Sequence, residues 1–312
     1  MRRRFGRIGL LALAALTIFL GGCSNNARRP GRVRVVATYS ILGDLVQNVA
    51  GDSAEVTTLV GPDCDAHTFE PTPKDGVSLA EADIVFENGV NFEGWLDKLH
   101  KSSKSKAKRI VVTEGLQLRG GECNHAHKPG EKHEHEDDPH VWHDVKNAIH
   151  MVSVIRDQLA EADPPSAETY KANATAYLAK LKALDAWVVE KVTSVPKQNR
   201  KLVTSHDTFG YFAERHGFEI VGTMLTSVST EASDPSPATF ARLVESVKAA
   251  KVPAIFAENV HNPKLMERLG KEAGVRLAQP LFTDALGKPG SEGATYEKMV
   301  RHNVTIIVEA LK

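Results

Sequence analysis

Short apolar runs alternate with helical patterns along most of the chain. Val33–Thr38 reads as a strand and Ile41–Ala50 as a helix, followed by a strand at Glu55–Val60 and a helix at Pro73–Glu81. Asp83–Glu87 and Arg109–Val112 continue the strands, with a helix at Glu93–His100 between them. Residues 114–139 form a long polar loop, and Val145–Glu161 is a helix stopped by Asp163-Pro164-Pro165. A second series places strands at Lys201–Ser205, Phe218–Gly222, Ala254–Ala257 and Arg276–Leu281. Helices at about 208–216, 237–250, 263–273 and 292–311 are interleaved with them. This alternation predicts parallel sheets with crossover helices, an α/β fold.

Between the two series, Ser166–Thr193 has good helix formers and no internal Gly or Pro. Tyr170, Ala174, Tyr177, Leu181, Leu184 and Val188 recur at spacings of three and four, which makes one apolar stripe. A helix of this length spans roughly 40 Å at 1.5 Å per residue, enough to run behind two lobes and join them. The expected organisation is an N-terminal lobe over 33–165, a connecting helix over 166–194 and a C-terminal lobe over 195–312.

The N-terminus changes the picture of where the chain works. Arg2, Arg3, Arg4 and Arg7 precede an apolar run from Ile8 to Leu20, shorter than the ~20 residues a spanning helix needs. It ends in Leu20-Gly21-Gly22-Cys23, which resembles a bacterial lipobox whose cysteine is lipidated. Residues 1–23 are therefore expected to be a lipoprotein signal, 24–32 a polar tether, and the mature protein an extracytoplasmic lipoprotein, periplasmic or on the cell surface. Cys64 and Cys123 remain, an even pair in a compartment where disulfides persist, so a bridge is expected. Free thiols and thiolate metal ligands are the alternatives.

Lys plus Arg equals Asp plus Glu, 39 each, so the composition offers no basic surface for nucleic acid. The 13 histidines are unevenly placed: His125, His127, His133, His135, His140, His143 and His150 cluster together. In open α/β sheets, ligands bind beyond the carboxyl ends of the strands. Four side chains of metal-ligating type fall there. His67 follows the strand 55–60, His140 closes the long loop, His206 follows the strand 201–205, and Asp284 follows the strand 276–281. Two come from each lobe, so one ion could be held across the cleft. Imidazole and carboxylate in a four-coordinate site suit Zn²⁺, and four protein ligands leave no open position for a catalytic water. Loop and capping roles also explain each residue taken singly, and spacing alone leaves both readings open.

Four segments carry a resemblance. They are Gly61-Pro62-Asp63 leading into His67-Thr68-Phe69-Glu70-Pro71, then Asp138-Pro139-His140-Val141-Trp142, His206-Asp207-Thr208-Phe209-Gly210-Tyr211-Phe212 and Thr283-Asp284-Ala285-Leu286-Gly287. With these, the chain from residue 33 onward resembles the zinc- and manganese-binding solute-binding proteins of bacterial ABC importers. The resemblance implies His67, His140, His206 and Asp284 as ligands, a membrane permease and an ATPase as partners, and a monomer that is not an enzyme. Manganese-binding members typically carry glutamate at the third position. His206 favours Zn²⁺, because Mn²⁺ prefers oxygen ligands, and Mn²⁺ or iron is the alternative cargo.

Three further expectations follow. His125, His127, His133 and His135, within a loop at about 123–138, read as an auxiliary metal-capture tract. Glu258, after the strand 254–257, reads as an acceptor for a ligating histidine, with a plain loop carboxylate as the alternative. His143 reads as a solvent-facing or capping residue. A secreted zinc hydrolase is the rival of another class. It needs an open coordination position and a base such as Glu70 or Glu231, and no His-Glu-x-x-His helix is present.

Overall fold

A computed structural model of the chain describes residues 31–120, 137–225, 230 and 235–312. The first strand, β1 (Val33–Tyr39), is buried along its last five residues, as a central parallel strand covered on both faces must be. It pairs in parallel with β2 (Ala54–Val60) and β3 (Ile84–Glu87), and β4 (Lys108–Val111) completes the order β2-β1-β3-β4. Helices α1 (Ser40–Ala50), α2 (Pro73–Glu81) and α3 (Leu96–Ser103) connect these strands. The start of α2 is set by a capping box between Thr72 and Asp75, with Pro73 in the first turn where its missing N–H is not needed.

The second half repeats this plan. β5 (Lys201–Thr204) pairs with β6 (Glu219–Thr223), and β7 (Ala254–Ile255) with β8 (Arg276–Leu277), all parallel. The Phe256 N–H donates to Val203 O at 2.9 Å and ties the two pairs side by side. The resulting order 6-5-7-8 matches that of the first half. β7 and β8 are shorter than the apolar runs 254–257 and 276–281 predict. Pro280 has no N–H to give, so the ladder breaks after Leu277 and returns only as a bridge between Glu258 and Leu281. Helices α6 (Gly210–His216), α7 (Pro237–Ala250) and α8 (Lys264–Ala273) fill the crossovers.

Helix α4 (Val145–Ala162) leads into α5 (Ala167–Thr193), one uncut helix of 27 residues. Tyr170, Ala174, Tyr177, Leu181, Leu184 and Val188, the stripe visible in the sequence, are all buried. They pack α5 against α1 and α4 of the first half and against the last helix, α9 (Tyr296–Leu311), of the second. The halves are also stitched directly. Trp142 Nε1 donates to Thr283 O at 2.9 Å, Leu286 N to Ser40 Oγ at 2.9 Å, and Tyr296 Oη to Trp142 O at 2.7 Å. A shared apolar core plus these bonds leaves little freedom for the halves to swing apart.

Among the described residues, no helix is long and apolar enough to cross a membrane. Cys23, Cys123 and the histidines at 125, 127, 133 and 135 lie outside the described residues. Cys64 carries an exposed, free thiol, so the expected bridge to Cys123 finds no support.

Candidate metal centre

The carboxyl ends of β2, β4, β5 and β8 point toward one place, and the loops that follow them deliver His67, His140, His206 and Asp284 to it. All four side chains are buried, none more than 5% exposed. His140 Nε2 lies 3.3 Å from both His67 Nε2 and His206 Nε2. Asp284 Oδ2 is 3.1 Å from His206 Nε2 and 3.6 Å from His67 Nε2, and Asp284 Oδ1 is 3.6 Å from His140 Nε2. A tetrahedron with metal–ligand bonds of ~2.05 Å has edges of about 3.3 Å, so these separations are those of four donors around one small cation. Asp284 Oδ2 accepts no hydrogen bond among the described residues although it is fully buried. A buried carboxylate oxygen without a partner is strongly unfavourable unless a positive charge compensates it.

Carboxylates fix the imidazoles from behind. Asp138 Oδ1 lies 2.8 Å from His140 Nδ1 and also accepts the His140 backbone N–H at 3.0 Å. Glu258 Oε2 lies 2.6 Å from His206 Nδ1, while its Oε1 accepts the backbone N–H of Ser205 and His206 at 2.7 and 3.0 Å. Thr283 Oγ1 adds a further hydrogen bond to Glu258 at 3.1 Å. A carboxylate at Nδ1 holds the proton there and turns the Nε2 lone pair inward, as a metal-ligating histidine requires. Asp138 lies within a motif visible in the sequence, yet only its approach to the ring of His140 assigns it this task.

His67 is placed differently. Its ring meets Phe92 edge-on, with centroids 4.6 Å apart. Phe92 follows a turn in which Gly89, Val90 and Asn91 all have positive φ, a conformation that is uncommon for a β-branched residue. The buried Glu93 carboxyl holds that turn by accepting the N–H groups of Asn88 and Gly89 and the Thr38 hydroxyl. Burial pushes the Glu93 carboxyl up to about 7.

Protonation follows the same geometry. Burial lowers His67 to about 3, so it is a neutral ligand at physiological pH. Burial alone would lower His206 as well, but the Glu258 and Asp284 carboxylates outweigh it and raise the imidazole well above its ordinary value. Burial works to raise Asp284, and the imidazoles of His206, His140 and His67 reverse that and hold it well below the usual carboxylate range.

His143 corrects its sequence reading. It is buried, and its ring packs on Phe209 at 4.4 Å, because the adjoining Trp142 and Phe209 form an apolar wall that accepts a flat side chain. Burial lowers it to about 3, which makes it a neutral filler outside the four-residue cluster. Of the bases a hydrolase would need, Glu70 is exposed on its loop and Glu231 lies outside the described residues.

Residues 35–310 match the family described as zinc-uptake complex component A periplasmic, ZnuA. The manganese-binding lipoprotein MntA of Halalkalibacterium halodurans is 36% identical over 281 residues, covering 89% of this chain and 88% of that one. The metal ABC transporter substrate-binding lipoprotein SsaB of Streptococcus sanguinis is 31% identical over 318 residues, 99% of each chain. Among solved structures, the periplasmic zinc binding protein TroA from Treponema pallidum superposes with a TM-score of 0.80 at 32% identity, over 90% of this chain and 99% of that one.

Proposed function

Because the chain belongs to the ZnuA family of periplasmic zinc-uptake components, we propose that it captures Zn²⁺ with His67, His140, His206 and Asp284 and delivers it for import. It is the substrate-binding component of a metal ABC transporter and not an enzyme. A membrane permease and an ATPase are its partners, and it works outside the cytoplasm as an anchored lipoprotein. Cys23 is the residue that would carry the lipid. The histidines at 125, 127, 133 and 135 would collect metal ahead of the central site.

One observation carries the reading: three imidazole nitrogens and a carboxylate oxygen with no other partner converge at 3.1–3.6 Å. Three nitrogens and one oxygen favour Zn²⁺ over Mn²⁺, whose preference is for oxygen. The manganese-binding relatives give the second reading its weight. Elemental analysis and chelator competition decide between them. One tight Zn²⁺ that Mn²⁺ does not displace supports the zinc reading, and preferential Mn²⁺ retention overturns it. His206→Glu, which exchanges a nitrogen for an oxygen, should shift the balance toward Mn²⁺.

A further inference from the structure

Beyond the four converging side chains, Glu258 has a second neighbour. Its Oε2, 2.6 Å from His206 Nδ1, is also 3.7 Å from Nε2 of His261. The His261 ring meets that of His206 edge-on, with centroids 5.2 Å apart. His261 Nε2 is buried without a hydrogen-bond partner among the described residues, in a side chain that keeps 16% of its surface accessible. His206, Glu258 and His261 offer three donor atoms within 4.8 Å of one another. Next to them is a cavity of about 320 Å³ walled by Ser205, Met224, Leu225, His261, Leu265 and Met266. At ~30 Å³ per water that volume holds roughly ten waters, enough for a cation with its hydration shell.

We propose that His261 and Glu258 form a second, transient site for a divalent cation, a stepping stone between this cavity and the buried centre. The proposal rests on the four-ligand reading of that centre. An ion leaving four buried donors in one step would lie unpaired in a dry interior, which is far more unfavourable than exchanging one ligand for another. Glu258 faces both positions and His261 supplies a nitrogen on the outer side, so the ion keeps protein donors while water from the cavity takes the remaining places. The 3.7 Å separation exceeds a hydrogen bond and approaches the ~3.3 Å edge of a metal polyhedron. Lys264, exposed on the cavity wall, works against a long stay there, which suits passage and not storage.

A transient site on the path acts on rates. With the full chain and Co²⁺ as a spectroscopic stand-in for Zn²⁺, rapid mixing gives the association rate, and transfer to excess chelator gives the release rate. His261→Ala should slow both, each at least several-fold and by a similar factor. His261→Asp, which restores a donor, should recover most of the loss. Unchanged rates overturn the proposal. So does faster release with an affinity loss of ~10–100-fold, the signature of a residue that only steadies Glu258. Circular dichroism establishes folding, and should the alanine variant fail to fold, His261→Asn gives the same reading. Absence of a tight site in the unsubstituted protein would instead sink the four-ligand reading itself.

Discussion

The 2.6 Å contact between His206 Nδ1 and Glu258 Oε2 joins a residue that follows β5 to one that follows β7. Because Glu258 also holds the backbone N–H groups of Ser205 and His206, one carboxylate sets both the position and the tautomer of the imidazole. Glu258→Gln keeps the shape but must turn an amide N–H₂ toward at least one of these donors. Zn²⁺ affinity should fall by ~10–100-fold, the usual effect of losing such an orienting partner. Chelator competition reads it, and an unchanged affinity would show that His206 needs no orienting carboxylate.

Metal binding should release a proton. His206, raised between two carboxylates, is protonated in the metal-free protein at neutral pH, whereas His67 is already neutral. A cation must displace the His206 proton to use Nε2, so affinity rises with pH below the His206 value, by roughly tenfold per unit for one proton. Calorimetry in buffers of different ionisation enthalpy counts that proton. A count near zero at pH 7 would mean that His206 enters the site neutral.

Much of this was legible in the sequence because strand ends are. Apolar runs with β-branched residues marked most of the strands, and the residue after each run is where an open α/β sheet presents its ligands. His67, His140, His206 and Asp284 could therefore be picked out before any coordinates, although spacing alone could not bring them together. Local pattern failed where tertiary contacts decide. The runs at 254–257 and 276–281 look like full strands, but Pro280 breaks their ladder. His143 looks like a surface residue until Phe209, 66 positions on, covers it. Asp138 carried a usable signal, since a carboxylate two residues before a histidine can reach that histidine's own Nδ1.

Acid should weaken the metal-free fold through His216 as well as through the site. This histidine ends α6, packs its ring on Phe212 at 4.8 Å, and is lowered to about 4 by burial. Its unfolded value is near 6.5, so between about pH 6.5 and 4 the unfolded chain binds the extra proton. Its stabilising share is complete above that window and is lost as pH falls through it. Thermal melts of His216→Phe should show a smaller drop between pH 7 and pH 5 than the unsubstituted protein. An equal drop would place the acid sensitivity elsewhere.

The last test probes the centre through a residue that carries no side chain. Gly210 opens α6, and a Cβ built there would run into the Arg119 guanidinium and sit 2.6 Å from Asp138 Oδ2. Arg119 is a long side chain that can move. Asp138 cannot, because it is fully buried and its other oxygen is engaged by His140 through both Nδ1 and the backbone N–H. Gly210→Ala therefore pushes on the carboxylate that turns the His140 ring. Helix propensity works the other way, since alanine in place of glycine favours α6 by ~1 kcal/mol. The variant should thus stay folded while its Zn²⁺ affinity falls by ~10-fold or more. The measurement is a pair: a thermal melt of the metal-free protein and a chelator titration. Loss of both together would point to a packing defect, whereas lost affinity with a preserved melt ties Gly210 to the aim of His140 through Asp138.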